Sequence, residues 1–404
     1  MDGIIFGLDI GTTKVCALVG EIRDGQMQII GLGQQKAEGM RKGMIIDVAQ
    51  ATVPIALAVE KAEQTSGYDL SQAFVSMAGE HISSTNNRGA VAIGRNGSGV
   101  SHEDIERALD AAQAISIPHN REIVHIVPRT YTLDDQEEVR SPVGLHGYRL
   151  EVEAHIVTAA TPALMNLSQT MDNVGLKVEE FVLNALASAE AILDPSEMEM
   201  GVIIADIGGG TADIALYKQG VVWHTRVIPV GGFHITNDIA IGLRVPFDIA
   251  EEVKLKYGDC RPDQIDPGVV FAVEPFGGEK IQVGRQDLAY VVEARAEEIF
   301  QLILQEIKRS GYEGLLPAGI VLTGGSALLR GINHVAQRVL GVPARVAKPK
   351  NLVGLVDSLN SPAFSTSVGL LRWATSGHNL YRPRPRQGEI GRKIGGIFKA
   401  LLPG

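Results

Sequence analysis

The sequence predicts an α/β protein made of two related domains. Its 404 residues exceed what one ordinary hydrophobic core usually holds. A unit of apolar strand, carboxylate and glycine turn also occurs twice, because Asp9–Thr13 and Asp206–Gly210 align at an offset of 197 residues. Chance rarely places both a carboxylate and glycines twice at matching positions, so the repeat indicates a duplicated structural unit.

The first copy of this unit begins the chain. The apolar run Ile4–Asp9 predicts a strand that ends in a carboxylate, and Val15–Val19 and Met27–Leu32 predict two more strands. Apolar residues at helical spacing predict a helix over Val48–Ser66. The second copy predicts the same three strands, at Val202–Asp206, Ala212–Tyr217 and Val221–Pro229.

Two stretches do not fit the repeated unit and indicate insertions. Residues 83–99 are polar and glycine-rich without a helical period, and a capped helix over Ser101–Ala114 follows them. After the second copy the pattern becomes helical and includes a long amphipathic helix over Gln286–Arg309. The predicted organisation is a first domain of 1–82, 162–196 and 365–380 with 83–161 inserted, and a second domain of 197–230 and 305–364 with 231–304 inserted.

The glycine turns predict where an anion would bind. Gly208–Gly210 lack Cβ atoms, so the backbone can turn sharply and its N–H groups can approach a phosphate. Asp206 ends the preceding strand, where a carboxylate can hold Mg²⁺ directly or through water. A third turn, Thr323–Ser326, is expected to lead into a helix over Leu329–Leu340. For any single turn an ordinary glycine hairpin is the alternative.

Composition and motifs exclude several classes of protein. The net charge of −10 argues against non-specific binding of nucleic acid. Two cysteines, Cys16 and Cys260, provide neither a disulfide framework nor a paired zinc motif. No signal peptide is expected from the first residues, and no run of 18 apolar residues predicts a transmembrane helix. Neither a P-loop nor a dinucleotide-binding glycine motif is present.

The three turns together carry a resemblance to a known superfamily. Asp9–Lys14, Asp206–Thr211 and Thr323–Ser326 resemble the two phosphate motifs and the adenosine motif of actin, sugar kinases and heat-shock chaperone ATPases. The insertions and a basic C-terminal stretch resemble one branch over nearly the whole chain, the FtsA family of bacterial actin-like cell-division proteins. The resemblance implies an actin-like fold, with two RNase H-like domains around a nucleotide cleft.

That resemblance implies ATP and Mg²⁺ as ligands and assigns residues to them. Asp9 and Asp206 are expected to hold Mg²⁺. The residues expected to hold phosphates are Gly11, Thr12, Thr13, Lys14, Gly208, Gly209, Gly210 and Thr211. The residues expected to lie against the nucleoside are Gly324, Gly325, Ser326, Glu251 and Lys254. For Glu251 and Lys254 a solvated helical ion pair is the alternative, because they are three residues apart.

One position departs from the superfamily pattern. Actin-like ATPases commonly place Glu or Gln before a helix of small residues, where it orients the attacking water. Here that position is Asn184, which is followed by the small-residue helix Ala185–Leu193. Because Asn is one methylene shorter and water placement matters greatly in phosphoryl transfer, we expect ATP binding with at most slow hydrolysis.

The C-terminal residues predict a second function. Residues 381–404 carry six basic side chains and one acidic side chain, and Pro383 and Pro385 indicate a flexible basic linker over 381–390. Over 391–404 apolar residues recur at helical spacing with basic residues opposite, as in a helix that lies on an anionic membrane. The alternative is a helix that docks on the body or on a partner. The residues assigned to the membrane are Ile390, Arg392, Lys393, Ile394, Ile397, Phe398, Lys399, Leu401 and Leu402.

The resemblance also implies partners. It implies a polymerising scaffold that tethers the ring of the tubulin-like protein FtsZ to the cytoplasmic face of the inner membrane at the division site, and that helps to recruit later division proteins. Arg285 and Arg295 resemble the positions that bind the acidic C-terminal peptide of FtsZ, and two solvated arginines are the alternative. For the whole chain the alternatives are a PilM-like pilus adaptor, a chaperone ATPase and a small-molecule kinase.

Overall fold

Two five-stranded sheets of the same topology form the body of the protein. The computed structural model describes residues 3–94, 99–114 and 117–376. The first sheet consists of β1 (Ile4–Ile10), β2 (Lys14–Arg23), β3 (Gln26–Lys36), β6 (Gln72–Met77) and β11 (Lys177–Leu183). Its strand order is β11-β6-β1-β2-β3, in which β2 is antiparallel to both β1 and β3, and β6 and β11 are parallel to β1. A short hairpin, β4 (Met40–Arg41) and β5 (Met44–Ile45), follows β3.

The second sheet repeats this arrangement. It consists of β12 (Val202–Ile207), β13 (Ala212–Lys218), β14 (Val221–Ile228), β17 (Ile320–Thr323) and β18 (Ala344–Val346). Three antiparallel strands are again followed by two parallel ones, in the order β14-β13-β12-β17-β18. The predicted duplication of a three-stranded unit is therefore confirmed at the level of sheet topology.

Four helices belong directly to the first sheet. They are α1 (Val48–Ser66), α3 (Thr161–Val174), α4 (Asn184–Ile192) and α10 (Ser365–Trp373). The predicted bounds of α1 agree with the structure, in which Asp47 caps the first turn and Gly67 ends the helix with a φ of 75°. Two further helices, α5 (Pro195–Met200) and α9 (Ile332–Leu340), flank the second sheet.

The first insertion forms a sheet of its own. It contains β7 (Ile82–Ala92), α2 (His102–Gln113), β8 (Arg121–Leu133), β9 (Gln136–Val139) and β10 (Arg149–Ala160). The polar stretch after residue 82 is mostly the edge strand β7, whose polarity reflects its many solvent-exposed side chains. Ser101 and Asp104 form the expected capping box of α2.

The second insertion is mostly helical. It contains α6 (Gly232–Leu243), α7 (Phe247–Tyr257), β15 (Val270–Val273), β16 (Ile281–Gly284) and α8 (Arg285–Ser310). One expectation nearby is wrong, because the helix predicted over Leu329–Leu340 begins only at Ile332. Gly325–Leu328 forms a short 3₁₀ turn, and Gly331, with a φ of 77°, separates it from α9. None of the described helices is long and apolar enough to cross a membrane.

Helices α4 and α10 pack against each other between the two sheets. Their buried residues join strands of both sheets in one core, for example Leu18 of β2 and Ile204 of β12. The helices approach so closely that a Cβ on Gly369 of α10 would lie 1.8 Å from the carbonyl oxygen of Ala187 in α4. The small residues predicted for α4 therefore serve a close helix crossing in the middle of the molecule.

We expect Gly369→Ala to destabilise the protein, although Ala favours helices by about 1 kcal/mol over Gly. The added methyl group would force the two helices apart, at a typical cost of about 1–3 kcal/mol for overpacking. Gly242 in α6 is the matched control, since a Cβ there meets no atom within 4 Å. Chemical denaturation should show a loss for Gly369→Ala and no loss for Gly242→Ala. Equal stability of the two variants would contradict the close crossing.

Candidate nucleotide cleft

Two buried carboxylates lie at equivalent positions of the two sheets. Asp9 near the end of β1 and Asp206 near the end of β12 are each 5% exposed. Ser76 and Ser367 donate hydrogen bonds to Asp9 over 3.0 and 2.7 Å. The equivalent donors to Asp206 are Ser188 at 2.5 Å and Thr366 at 2.7 Å. Helix α10 thus holds both carboxylates through adjacent hydroxyl residues.

The site concentrates negative charge. Burial raises the pKa of Asp206, the hydrogen bonds from Ser188 and Thr366 oppose the rise, and the charge of Asp9 adds to it. Such carboxylates are hard oxygen ligands of the kind that Mg²⁺ prefers. Among the described residues, no three His, Cys, Asp or Glu side chains form a ready-made metal site.

Asp213 is a third carboxylate at this site, and the sequence analysis missed it. It pairs with Asp206 across β12 and β13 and accepts a hydrogen bond from Thr211 over 2.8 Å. Burial, followed by the charge of Asp206, raises the pKa of Asp213 well above its usual value. Its Oδ1 atom is buried without a hydrogen-bond partner among the described residues. Its position two residues after Thr211, at the beginning of the strand that follows the glycine turn, was the available signal.

The two glycine turns have the same internal geometry and face each other. The amide of Gly11 donates to the Lys14 carbonyl and that of Gly208 to the Thr211 carbonyl, each over 2.9 Å. A Cβ on Gly209 would lie 2.5 Å from Cγ2 of Thr13. The side chain of Thr12 would similarly meet a Cβ on Gly210, at 2.8 Å. The close approach of the turns therefore requires glycine at these two positions.

The third turn meets the second one at the same cleft. Gly324 has a φ of 84°, and a Cβ there would lie 2.4 Å from Oδ1 of Asp206. Ser326 donates a hydrogen bond to the Gly208 carbonyl over 2.9 Å. All three predicted turns thus converge around Asp206.

Glu251 and Lys254 both line the cleft. Lys254 is 7% exposed and donates to Glu251 at 2.7 Å, to Thr236 at 2.8 Å and to the Gly232 carbonyl at 3.2 Å. Burial lowers the pKa of Lys254, and the carboxylate of Glu251 acts in the opposite direction. The two residues do form an ion pair, but the Lys254 side chain is buried in it, whereas that of Glu251 is 30% exposed.

A cavity of about 280 Å³ joins these groups. Its volume is just below the range of about 300–1,000 Å³ that is usual for small-molecule sites. The predicted site residues among its lining are Thr13, Gly209, Glu251, Lys254, Gly325 and Ser326. The structure therefore brings predicted phosphate and nucleoside residues to one cavity.

Lys14 and Asn184 lie at the edges of this arrangement. The Lys14 ammonium donates to the Ala363 carbonyl and lies 3.8 Å from the centre of the Phe364 ring, so it reaches the segment before α10. Asn184 begins α4 one turn before Ser188, and its Oδ1 atom is buried without a partner among the described residues. An unsatisfied amide oxygen on the helix that holds Asp206 is free to accept a hydrogen bond from a ligand or water.

The predicted partner residues are both engaged within the chain. Arg295 forms two hydrogen bonds with Asp238, of 2.6 and 2.8 Å, and a third with Glu298. Arg285 donates to the Tyr257 carbonyl over 3.4 Å. A peptide carboxylate would have to replace the Asp238 contact of Arg295. The membrane residues predicted between 390 and 402 lie outside the described residues.

Comparisons with known proteins decide the family. A family model described as "Cell division protein FtsA" matches residues 203–369, and one described as "SHS2 domain inserted in FTSA" matches residues 79–158. Cell division protein FtsA of Pseudomonas aeruginosa is 43% identical over 372 residues, which are 92% of this chain and 89% of that protein. The chain belongs to the FtsA family of cell-division proteins. Its relative in Bacillus subtilis is 36% identical over 96% of this chain and 85% of that protein.

Solved structures confirm the actin-like fold. The PilM–PilN type IV pilus biogenesis complex superposes with a TM-score of 0.66 at 17% identity, covering 91% of this chain and 97% of that chain. MreB5 of Spiroplasma citri bound to AMPPNP superposes with a TM-score of 0.51 at 16% identity and full coverage of both chains. At such low identity these structures show the fold alone. Sequence identity assigns the chain to the FtsA family, and the structural likeness gives no support to the alternatives of a pilus adaptor, a chaperone ATPase and a small-molecule kinase.

We expect Asp213→Asn to stabilise the ligand-free protein at pH 8. The raised pKa of Asp213 means that the folded state binds a proton that the unfolded state has already released. Stability is therefore lost as pH rises above the usual Asp pKa, and it is regained as pH falls. Replacing this acid with a neutral amide removes the cost of taking up that proton on folding, and it should add roughly 1–3 kcal/mol at pH 8 and little at pH 4. Thermal unfolding across this pH range measures the difference.

The exposed residue Asp172 supplies the control for this experiment. Asp172→Asn should change stability little at either pH, because its charge is solvated. If Asp213→Asn lowered stability equally at pH 4 and pH 8, Asp213 would not be a buried acid with a raised pKa.

Proposed function

We propose that this protein binds ATP with Mg²⁺ in the cleft between its two sheets. The observation that carries the proposal is the convergence of three glycine turns and two hydroxyl-held carboxylates on one site. The amides and hydroxyls of Gly11–Lys14 and Gly208–Thr211 would hold the phosphates from opposite sides. Asp9 and Asp206 would orient Mg²⁺, largely through its water ligands.

The nucleoside would lie at the end of the cleft lined by the second insertion. There Gly324–Ser326 would contact it on one side, and Glu251 and Lys254 would contact the ribose and adenine on the other. Lys254 is already fixed by three hydrogen bonds, so little side-chain entropy remains to be lost when it contacts a ligand. This arrangement supports a preorganised nucleotide site.

We propose that ATP serves mainly to brace the two domains and is hydrolysed slowly. Asn184 would occupy the position from which a longer Glu or Gln reaches the attacking water, and misplacement by about 1 Å can reduce a rate by about 10²-fold. Its amide would lie too far back on α4 to orient that water well. The bound nucleotide would then act as a structural ligand that connects the phosphate turns of both domains.

Asn184→Gln should raise the rate of phosphate release by about tenfold or more, because the amide gains one methylene of reach. Asn184→Ala is the control and should not raise it, since it removes the amide altogether. The assay uses purified full-length protein with MgATP at concentrations below those that support assembly. Brisk turnover by the unaltered protein, independent of assembly, would contradict this part of the proposal.

We further propose that the protein acts as a polymerising scaffold at the division site. Family membership supports this role, and the sequence of residues 381–404 supports attachment to an anionic membrane. In this role the protein would tether the FtsZ ring to the cytoplasmic face of the inner membrane and help to recruit later division proteins. Arg285 and Arg295 would bind the acidic C-terminal peptide of FtsZ, with Arg295 exchanging its contact with Asp238.

Membrane attachment by one tail should be weak, so assembly would strengthen it through multivalency. Phe398→Glu should therefore reduce co-sedimentation with vesicles of phosphatidylcholine and phosphatidylglycerol, because it places a charge on the apolar face. Phe398→Leu keeps that face apolar and should retain most binding. Undiminished binding of Phe398→Glu would reject the assignment of the tail to the membrane.

A further inference from the structure

A groove outside the nucleotide cleft runs between α3, β11 and the beginning of β8. It encloses about 850 Å³. Its apolar lining includes Leu164, Val178 and Phe181, and the side chain of Met165 is 65% exposed. A long apolar side chain exposed beside other apolar groups indicates a surface that another segment can cover.

The polar lining of this groove is acidic. Glu122, Asp172 and Glu179 are exposed in it, and none of them forms an ion pair with another described residue. Among the described residues that line the groove, none is Lys or Arg. The groove therefore combines apolar surface with uncompensated negative charge, which favours an occupant that is both apolar and basic.

The strand beside the groove is an unpaired edge. β11 is hydrogen-bonded to β6 alone among the described strands, and its register is irregular between Val178 and Glu180. Four successive residues, Val178–Phe181, line the groove, and two of them are acidic. Proteins commonly cover such a strand edge, so the groove follows an edge that is open to a further segment.

The described part of the chain ends beside this groove. Trp373, the last residue of α10, donates a hydrogen bond from Nε1 to Glu180 over 3.1 Å. Its ring also contacts that of His125 in β8, with 5.6 Å between centroids. Ser376, three residues after Trp373, is the last described residue, so the structure follows the chain to the neighbourhood of the groove.

The residues after Ser376 are numerous enough for the C-terminal segment to reach the groove. Ile390 comes fourteen positions after Ser376 in the sequence, and an extended chain spans at most about 3.3–3.6 Å per residue. A linker of this length reaches roughly 46 Å when extended. It is therefore long enough to turn back and place residue 390 and those after it along α3.

We propose that the groove is a docking site for this chain's own C-terminal segment, residues 381–404. That segment has a net charge of +5 and apolar residues at helical spacing, so it complements the groove in both respects. Because the segment is tethered, its effective concentration is in the millimolar range, and even a weak site is occupied. The inference rests on the proposed function in one respect, since the docked residues are those that we assign to the membrane.

Docking and membrane binding would therefore compete within a single molecule. When the C-terminal segment is docked, its apolar face is buried in the groove. An anionic membrane competes for the segment because it binds both its basic side chains and its apolar face. Groove variants that release the tail should bind vesicles more tightly, whereas variants that remove the apolar face of the tail should bind them less tightly.

Cross-linking of the full-length protein tests the docking directly. Met165→Cys is combined with Gly404→Cys and treated at neutral pH with a short bismaleimide at submicromolar protein concentration. Burial raises the pKa of the Cys16 thiol to about 11 and that of Cys260 to about 12, so neither competes. The control pair is Ile241→Cys with Gly404→Cys, because Ile241 is 69% exposed on α6.

We expect at least about fivefold more intramolecular product for the Met165 pair than for the Ile241 pair, given a local concentration in the millimolar range. Glu122→Lys with Glu179→Lys should lower that product to the control level. Reversal of two exposed acids elsewhere, Glu137→Lys with Glu279→Lys, should not lower it. The groove reversal should also strengthen binding to anionic vesicles by about two- to tenfold, the factor expected when a competing tethered site is removed.

Several outcomes would overturn the proposal. One such outcome is an equal amount of intramolecular cross-link from the two cysteine pairs, and another is an amount that Glu122→Lys with Glu179→Lys leaves unchanged. Either result would show that the tail does not dock in the groove, and the basic segment of another protein would then be the candidate occupant. Dimeric product alone would assign the groove to the tail of a second copy. Vesicle binding without the Met165 product would overturn docking and leave the membrane proposal standing. The Met165 product without vesicle binding would support docking and reject the membrane proposal.

Discussion

The close crossing of α4 and α10 is the interaction on which the cleft depends. Gly369 allows α10 to lie against the backbone of α4, and this contact brings Thr366 and Ser367 between the two sheets. From there the two hydroxyls hold one carboxylate from each sheet. Because the sheets share a core with these helices, a shift in the crossing would move both carboxylates together.

Much of the fold could be predicted because the unit of strand, carboxylate and glycine turn occurs twice in the sequence. The carboxylate and glycine turn recur at one offset, and the two turns share the hydrogen bond that closes them. The partners of the carboxylates could not be predicted, since Thr366 is 160 residues from Asp206 and Ser367 is 358 residues from Asp9. Ser and Thr carry no local pattern that indicates such distant contacts.

The second insertion shows how tertiary structure changes the meaning of a local pattern. Glu251 and Lys254 have the spacing of an ordinary surface pair, but the Gly232 carbonyl and Thr236 of a neighbouring helix enclose Lys254. Gly331 similarly divides a stretch that looked like one helix, because its positive φ leaves the helical region of backbone conformation. In both cases the deciding contact or conformation involves backbone that apolar spacing does not report.

We propose that Asp9 and Asp206, held by hydroxyls of α4 and α10, orient the Mg²⁺ of bound ATP. Calorimetric titration of the full-length protein with ATP, in Mg²⁺ and in EDTA, tests it most directly. We predict at least about tenfold tighter binding with Mg²⁺, equivalent to about 1.4 kcal/mol, and loss of that advantage in Asp206→Asn but not in the exposed control Asp172→Asn. An unchanged Mg²⁺ advantage in Asp206→Asn, or no ATP binding by the unaltered protein, would contradict the account.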